Sequence, residues 1–165
     1  MSNEQTEFDE FFQASWAPCL RAVVAVAGSP QLAEDQVAEA FTRAWASWRK
    51  VSRHPAPQAW VVRTALNTGA SWWRRRRREL PLADHDVTVP GDLGAGLDAT
   101  LLLALWRLPP RQREVIALRI FLDLDIDTIA RQLGIEAGTV RTHLSRGVTA
   151  LRHELTPTNT MEAGQ

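Results

Sequence analysis

The chain has 165 residues, a hydrophobic content of 45% and a formal net charge of zero, from 19 basic and 19 acidic residues. No apolar run approaches the ~18 residues of a membrane span, and the polar, acidic N-terminus lacks the features of a secretory signal, so we expect a cytoplasmic protein without membrane insertion. The single cysteine excludes an internal disulfide and a cysteine-rich metal site.

Helical periodicity predicts three amphipathic helices in the first half of the chain. Apolar residues recur every three or four positions over 8–27, and the pattern ends at Gly-Ser-Pro, 28–30. A second helix over 32–48 has its charged residues on the opposite face and ends before a segment that contains two prolines. A third begins near residue 58 and runs into five consecutive arginines, 74–78.

An acidic segment separates these helices from a second helical half. Residues 81–96 contain two prolines, three glycines and three aspartates, a composition typical of a flexible linker. Helical periodicity returns over 97–155, whereas 156–165 lacks it and is predicted to be a disordered tail. With no strand-like alternation anywhere, the sequence predicts an all-α protein of two small domains, 6–80 and 97–155, joined by the linker.

The most specific motif is "DTIARQLGIEAGTVRTHLSRGVTALR", residues 127–152. Asp127 is a candidate helix N-cap, and the spacing of Ala130, Gly134 and Val140 is that of a helix-turn-helix, whose second helix enters a DNA major groove. Polar residues suited to phosphates and base edges lie largely opposite its apolar stripe: Thr139, Arg141, Thr142, Ser145 and Arg146. A plain helical hairpin with a solvated arginine face is the alternative, and the spacing favours DNA binding.

Two sets of motifs together resemble one protein family. "LPPRQREVIALRIF" (108–121), followed by the helix-turn-helix, closely resembles the C-terminal domain of extracytoplasmic-function (ECF) sigma factors. "AEDQVAEAFTRAWASW" (33–48) and "PQAWVVRTALNTGASWWRRRRR" (57–78) are similar to that family's core-binding and promoter-melting helices. The resemblance covers roughly 7–155. It implies an alternative sigma factor, not an enzyme, that binds core RNA polymerase and promoter DNA and has an anti-sigma factor as a further candidate partner.

The resemblance also implies roles for individual residues. The helix that would dock on polymerase carries Asp35, Glu39 and Arg43. Side chains that would face the minus-ten element are Arg63, Asn67, Trp72, Arg74, Arg77 and Arg78, with the arginines neutralising phosphates and Trp72 either packing in the core or stacking on a base. The minus-thirty-five element would be read by the five residues of the helix-turn-helix named above.

Three positions depart from the family pattern. Ala38 stands where a glutamine is usual, and Gln36 replaces an apolar residue, so the docking surface is atypical in detail. The segment "LDLDIDT", 122–128, lacks the glycine commonly found before the helix-turn-helix. Separately, Gly147 is unfavourable within a helix, where glycine costs ~0.5–1 kcal/mol relative to alanine.

Other functions are weighed against this interpretation. A self-sufficient helix-turn-helix regulator would dimerise and bind a palindrome without polymerase. The arginine run could also be a solvated helix end, or indicate an RNA-processing enzyme or its adaptor, and the first helices alone would suffice for a pure interaction protein. The sequence shows no nucleophile–base pair, phosphate-binding glycine loop or paired zinc ligands, so we expect no catalytic residues, metal or cofactor.

Overall fold

The computed structural model describes residues 1–79 and 96–157, and only the backbone of 69–79. All regular structure in these ranges is helical, which confirms the all-α prediction. The linker prediction falls mainly on residues 80–95 and the tail prediction mainly on 158–165, which lie outside the described part of the chain. The helices are α1 (Asn3–Ala27), α2 (Pro30–Ala46), α3 (Trp48–Val51), α4 (Pro57–Glu79), α5 (Ala99–Trp106), α6 (Pro110–Phe121), α7 (Ile126–Leu133) and α8 (Ala137–Leu155).

The break between α1 and α2 follows from its residue types. Gly28 adopts a left-handed conformation with φ of +76°, which glycine reaches without a steric penalty, and its N–H donates to the Val24 carbonyl at 3.2 Å. Pro30 then begins α2 at a position where its missing N–H costs nothing. The predicted boundary at 28–30 is confirmed.

Helices α1, α2 and α4 pack together as the first region. Their shared interior is rich in alanine and valine at helix contacts, while aromatic rings close the end formed by the start of α1 and the end of α2. Phe11, for example, lies 5.8 Å from Phe41 and 5.2 Å from Trp48 between ring centroids. Cys19 is fully buried here, and burial raises the pKa of its thiol to about 12.

Helices α5 to α8 form the second region, in which α8 packs against α5, α6 and α7. The α6–α8 contact explains Gly147, because a Cβ at this position would overlap Ile116 Cδ1 and lie 3.3 Å from Ile116 Cγ1. Ile116 is itself fully buried and has little room to move away. The glycine therefore allows the two helices to approach closely.

The two regions also pack directly on each other. Helix α1 contacts both α5 and α6, so one contiguous core includes residues of both regions. Trp106 Nε1 donates to the Val24 carbonyl at 3.1 Å, and the Arg113 guanidinium donates to the Val26 carbonyl at 3.0 Å. The sequence predicted the two regions but not this contact between them.

Candidate nucleic-acid and protein interfaces

The exposed face of α8 carries all five residues predicted for the minus-thirty-five element. Opposite this face, Val140 and Leu151 are buried, which confirms the predicted apolar stripe. Neither Arg141 nor Arg146 forms an ion pair with any residue in the described ranges, so both guanidinium groups are available to a ligand. The Thr142 hydroxyl donates to the Gly138 carbonyl at 3.0 Å, leaving its oxygen free to accept.

Helix α7 is joined to α8 by the predicted tight turn at Gly134, whose φ is +66°. The prediction that Asp127 caps α7 is wrong: Asp125 is the N-cap, and Asp127 lies in the first turn. The Asp125 carboxylate accepts from the Thr128 N–H at 2.7 Å, and this hydrogen bond lowers the carboxyl pKa below its ordinary value. Asp125 and Asp127 stand two positions apart, so the sequence alone did not decide which of them caps α7.

Asp123 adopts a left-handed conformation within the segment 122–128, which lacks the family's usual glycine. Its φ is +51°, and Asp123 is the only non-glycine residue with positive φ in the described part of the chain. Aspartate tolerates this conformation better than most residues. The following Leu124 N–H donates to the Leu118 carbonyl at 3.3 Å, which closes the end of α6. The missing glycine therefore leaves the turn intact and adds local strain.

The exposed face of α2 carries the residues predicted to bind core polymerase. Asp35, Glu39 and Arg43 are all exposed, and Arg43 Nε lies 3.0 Å from Glu39 Oε1. Ala38 is exposed on the same helix, whereas Gln36 is only 7% exposed and its buried Oε1 has no hydrogen-bond partner. Of the two departures on α2, therefore, Ala38 alters the surface and Gln36 alters the packing beneath it.

Helix α4 carries the residues predicted for the minus-ten element. Arg63 and Asn67 are exposed and lie four positions apart, so they share one face. The helix continues through the arginine run to Glu79, as the periodicity predicted. The side chains of Trp72, Arg74, Arg77 and Arg78 lie outside the described residues, so their roles remain predictions.

Arg63 and Asn67 line a cleft of about 230 Å³ between the two regions. One wall is α4 together with the end of α1, and the other is formed by α6 and α7. Arg111 and Glu114 line the α6 wall and form an ion pair of 3.0 Å. The face predicted to meet single-stranded DNA is thus directed toward the second region in this arrangement.

Arg113 and Trp106 are the residues that sequence reasoning missed. Besides the Val26 carbonyl, the Arg113 guanidinium donates to the carbonyls of Trp106 and Leu108, at 3.3 and 3.1 Å. Burial lowers the pKa of Arg113, and the neighbouring Glu114 carboxylate partly opposes this effect. The acceptors in α1 lie more than 80 positions away in the chain, so no local pattern indicated them.

Among the described residues, no helix is both long and apolar enough to span a membrane. The same residues contain no cluster of three or more His, Cys, Asp or Glu side chains that could hold a metal ion.

Comparisons with known proteins define the family. Residues 5–79 match the protein family described as "Sigma-70 region 2", and residues 99–151 match the family described as "Sigma-70, region 4". The chain therefore belongs to the sigma-70 family of transcription initiation factors. The RNA polymerase sigma-E factor of Streptomyces avermitilis is 30% identical over 155 residues, which cover 92% of this chain and 87% of that protein.

Further relatives narrow the family to one group. The ECF RNA polymerase sigma factor SigL of Mycobacterium tuberculosis is 31% identical over 153 residues, which cover 88% of this chain and 84% of SigL. A solved structure of the sigma factor RpoE, crystallised with the anti-sigma factor NepR from Bartonella quintana, shares the fold with a TM-score of 0.70. It is 24% identical, with 90% of this chain and 96% of that chain covered. The chain is a member of the ECF group of sigma factors.

Proposed function

We propose that the chain is an alternative sigma factor that binds core RNA polymerase and directs promoter-specific initiation in the cytoplasm. The observation that carries this proposal is the combination, in one chain, of the region 2 helices with a helix-turn-helix whose second helix exposes five polar side chains. Members of this family act in initiation without catalysis, and we assign no reaction to this chain itself.

Core polymerase would bind the exposed face of α2. Asp35 provides an acidic group without an ion-pair partner in the described part of the chain, whereas Glu39 is paired with Arg43. A charged face of this kind guides encounter and sets the register of a protein interface more than it sets affinity. Because Glu39 is already paired within the chain, Asp35 is expected to contribute more than Glu39 to binding of core polymerase.

Promoter DNA would meet two surfaces. The non-template strand of the minus-ten element would run along α4, past Arg63 and Asn67 and on toward the arginine run, where phosphates release counterions as they are neutralised. The minus-thirty-five duplex would receive α8 in its major groove, with Arg141 and Arg146 as the cationic contacts. An anti-sigma factor is a further partner that we propose from family membership.

Alanine variants on a randomised minus-thirty-five element test the role of α8. Loss of a base-edge contact should cost ~1–3 kcal/mol and relax one position, whereas loss of a phosphate contact should weaken all sequences alike. Arg141→Ala and Arg146→Ala are the test variants, and Arg107→Ala, which removes an exposed ion pair with Glu154 away from α8's polar face, is the control. Unchanged selectivity and affinity in both test variants would contradict the assignment of this face.

Stoichiometry separates the proposal from a self-sufficient helix-turn-helix regulator. Light scattering after gel filtration should find a monomer that forms a one-to-one complex with core polymerase. A dimer that binds duplex DNA tightly without polymerase would support the regulator instead.

A further inference from the structure

A second groove lies between the end of α2 and the first half of α4, apart from the cleft between the two regions. It is open to solvent and has a volume of about 710 Å³. Arg43 lines it from α2, and Trp60, Thr64, Asn67 and Thr68 line it from α4. None of the described residues that line this groove, which we call the α2–α4 groove, is acidic. Its charge therefore favours an anionic ligand.

Arg43 lines this groove, although the family resemblance assigned it to the polymerase surface. Its Nε lies 3.0 Å from Glu39 Oε1, in an ion pair between side chains one helical turn apart. Because Glu39 binds only Nε, the terminal Nη1 and Nη2 groups remain as donors, and they form no hydrogen bond with the described residues. An exposed ion pair of this kind is weak, so a phosphate can compete with Glu39 for the guanidinium.

Trp60 gives the groove an aromatic wall. Its side chain is half-buried, so part of the indole ring is accessible from the groove. Aromatic residues of α1, α2 and α3 contact one another in a cluster, whereas no described aromatic ring pairs with Trp60. Such a ring in a groove that also holds a cation suits a nucleobase, because every base has a π-face that can stack.

Polar residues of α4 complete a site for one nucleotide. The Thr68 hydroxyl donates to the Thr64 carbonyl at 2.9 Å, which leaves its oxygen free to accept from a base or a sugar. Asn67 lines both this groove and the cleft that contains Arg63. A DNA strand that passes Arg63 would therefore meet the α2–α4 groove at Asn67.

We propose that the α2–α4 groove binds one nucleotide of the single-stranded minus-ten element, with its base stacked on Trp60 and its phosphate bound by Arg43. This inference rests on the proposed function, because it names a contact of the same DNA strand. It reassigns Arg43 from the polymerase surface to the DNA surface, and the Glu39–Arg43 pair then marks the border between them. Stacking tolerates every base, so the groove contributes to affinity more than to sequence selectivity.

Binding of single-stranded DNA by the complex of the full chain with core polymerase tests this inference. The probe is a fluorescent strand of about 12 randomised nucleotides, and core polymerase without the chain gives the background. Trp60→Leu removes the stacking surface and should weaken binding about fivefold or more, whereas Trp60→Phe keeps a ring and should retain most of the affinity.

A salt series on the same complex tests the phosphate contact. Arg43→Gln removes the charge and should reduce the slope of log affinity against log salt concentration by about 0.7, whereas Arg43→Lys should keep the slope. In a separate titration, Arg43→Gln should bind core polymerase as tightly as the wild type does. Circular dichroism melts identify any variant that fails to fold.

Two matched controls lie outside the groove. Trp16 is half-buried like Trp60, and Arg49 forms an exposed ion pair with Glu4 at 2.8 Å, yet neither residue lines the groove. Trp16→Leu and Arg49→Gln should therefore keep the wild-type DNA affinity and the wild-type salt dependence once the complex has formed.

Wild-type DNA affinity in folded Trp60→Leu, or a wild-type salt slope in folded Arg43→Gln, would overturn the inference. Loss of core polymerase affinity in Arg43→Gln with unchanged DNA binding would also overturn it, because Arg43 would then belong to the polymerase surface. A wild-type chain that does not bind core polymerase would contradict the proposed function, and the same DNA titrations with the free chain would then decide the groove alone.

Discussion

Replacing Gly147 by alanine should destabilise the second region, against the usual preference of helices for alanine. The added Cβ would overlap Ile116 Cδ1 and lie 3.6 Å from Gln112 Cβ. Overpacking of this kind costs about 1–3 kcal/mol, whereas the gain in helix propensity returns only about 0.5–1 kcal/mol. The net loss is therefore up to about 2.5 kcal/mol, which corresponds to a melting temperature lower by up to about 10 °C for a chain of this size.

A thermal-melt comparison with two further variants isolates the packing effect. Gly138→Ala is the matched control on the same helix, because a Cβ there has no neighbour within 4 Å, and it should raise stability by up to about 0.5 kcal/mol. Ile116→Val removes the overlapping Cδ1, so the double variant with Gly147→Ala should be at least about 1 kcal/mol more stable than the sum of the single changes. Equal stabilisation by both alanine substitutions would refute the reasoning.

Three further predictions concern single features of the surface and turns. Reversing charge at Asp35 and Glu39 together should weaken core polymerase binding about tenfold or more in a folded chain. Unchanged affinity in a binding titration would show that the exposed face of α2 does not bind core polymerase. Asp123→Gly should relieve the left-handed strain and raise stability by about 0.5–1 kcal/mol in denaturant melts, and a loss would mean that the turn is unstrained. Because its pKa is lowered in the folded chain, Asp125 contributes capping stability above its unfolded pKa of about 3.8 and loses that contribution as pH falls through the lower folded value. Asp125→Asn keeps a capping side chain that does not titrate, so it should reduce the loss of stability in melts below about pH 4. An unchanged acid profile would contradict the capping role.

Local patterns predicted much of the fold. Gly-Ser-Pro at 28–30 ends one helix and begins the next because glycine permits the left-handed conformation at the end of α1, whereas proline fixes φ at a value suited to the first turn of α2. The apolar stripe of α8 and the turn at Gly134 followed from spacing alone, because both depend on residues within two turns of each other. The same locality predicted the exposed faces on α2 and α8, whereas Arg63 and Asn67 on α4 were predicted from the resemblance to the sigma-factor family.

Other features depend on contacts that spacing does not encode. Gly147 is unfavourable by helix propensity, and its presence is explained only by Ile116, 31 positions earlier, which occupies the space that a side chain at position 147 would need. Gln36 was read as part of the docking surface, yet it lies beneath that surface with its Oε1 buried. The pairing of Arg113 and Trp106 with α1 joins helices far apart in the chain, and the sequence offered only a linker between them.

Run-off transcription with core polymerase on a genomic library is the direct test of promoter-specific initiation by this chain. Discrete transcripts should require both the purified chain and core polymerase and should start downstream of a shared pair of minus-ten and minus-thirty-five elements. They should disappear in the Arg141 and Arg146 double alanine variant. Transcription that does not change when the chain is added to core polymerase known to be active would contradict the account.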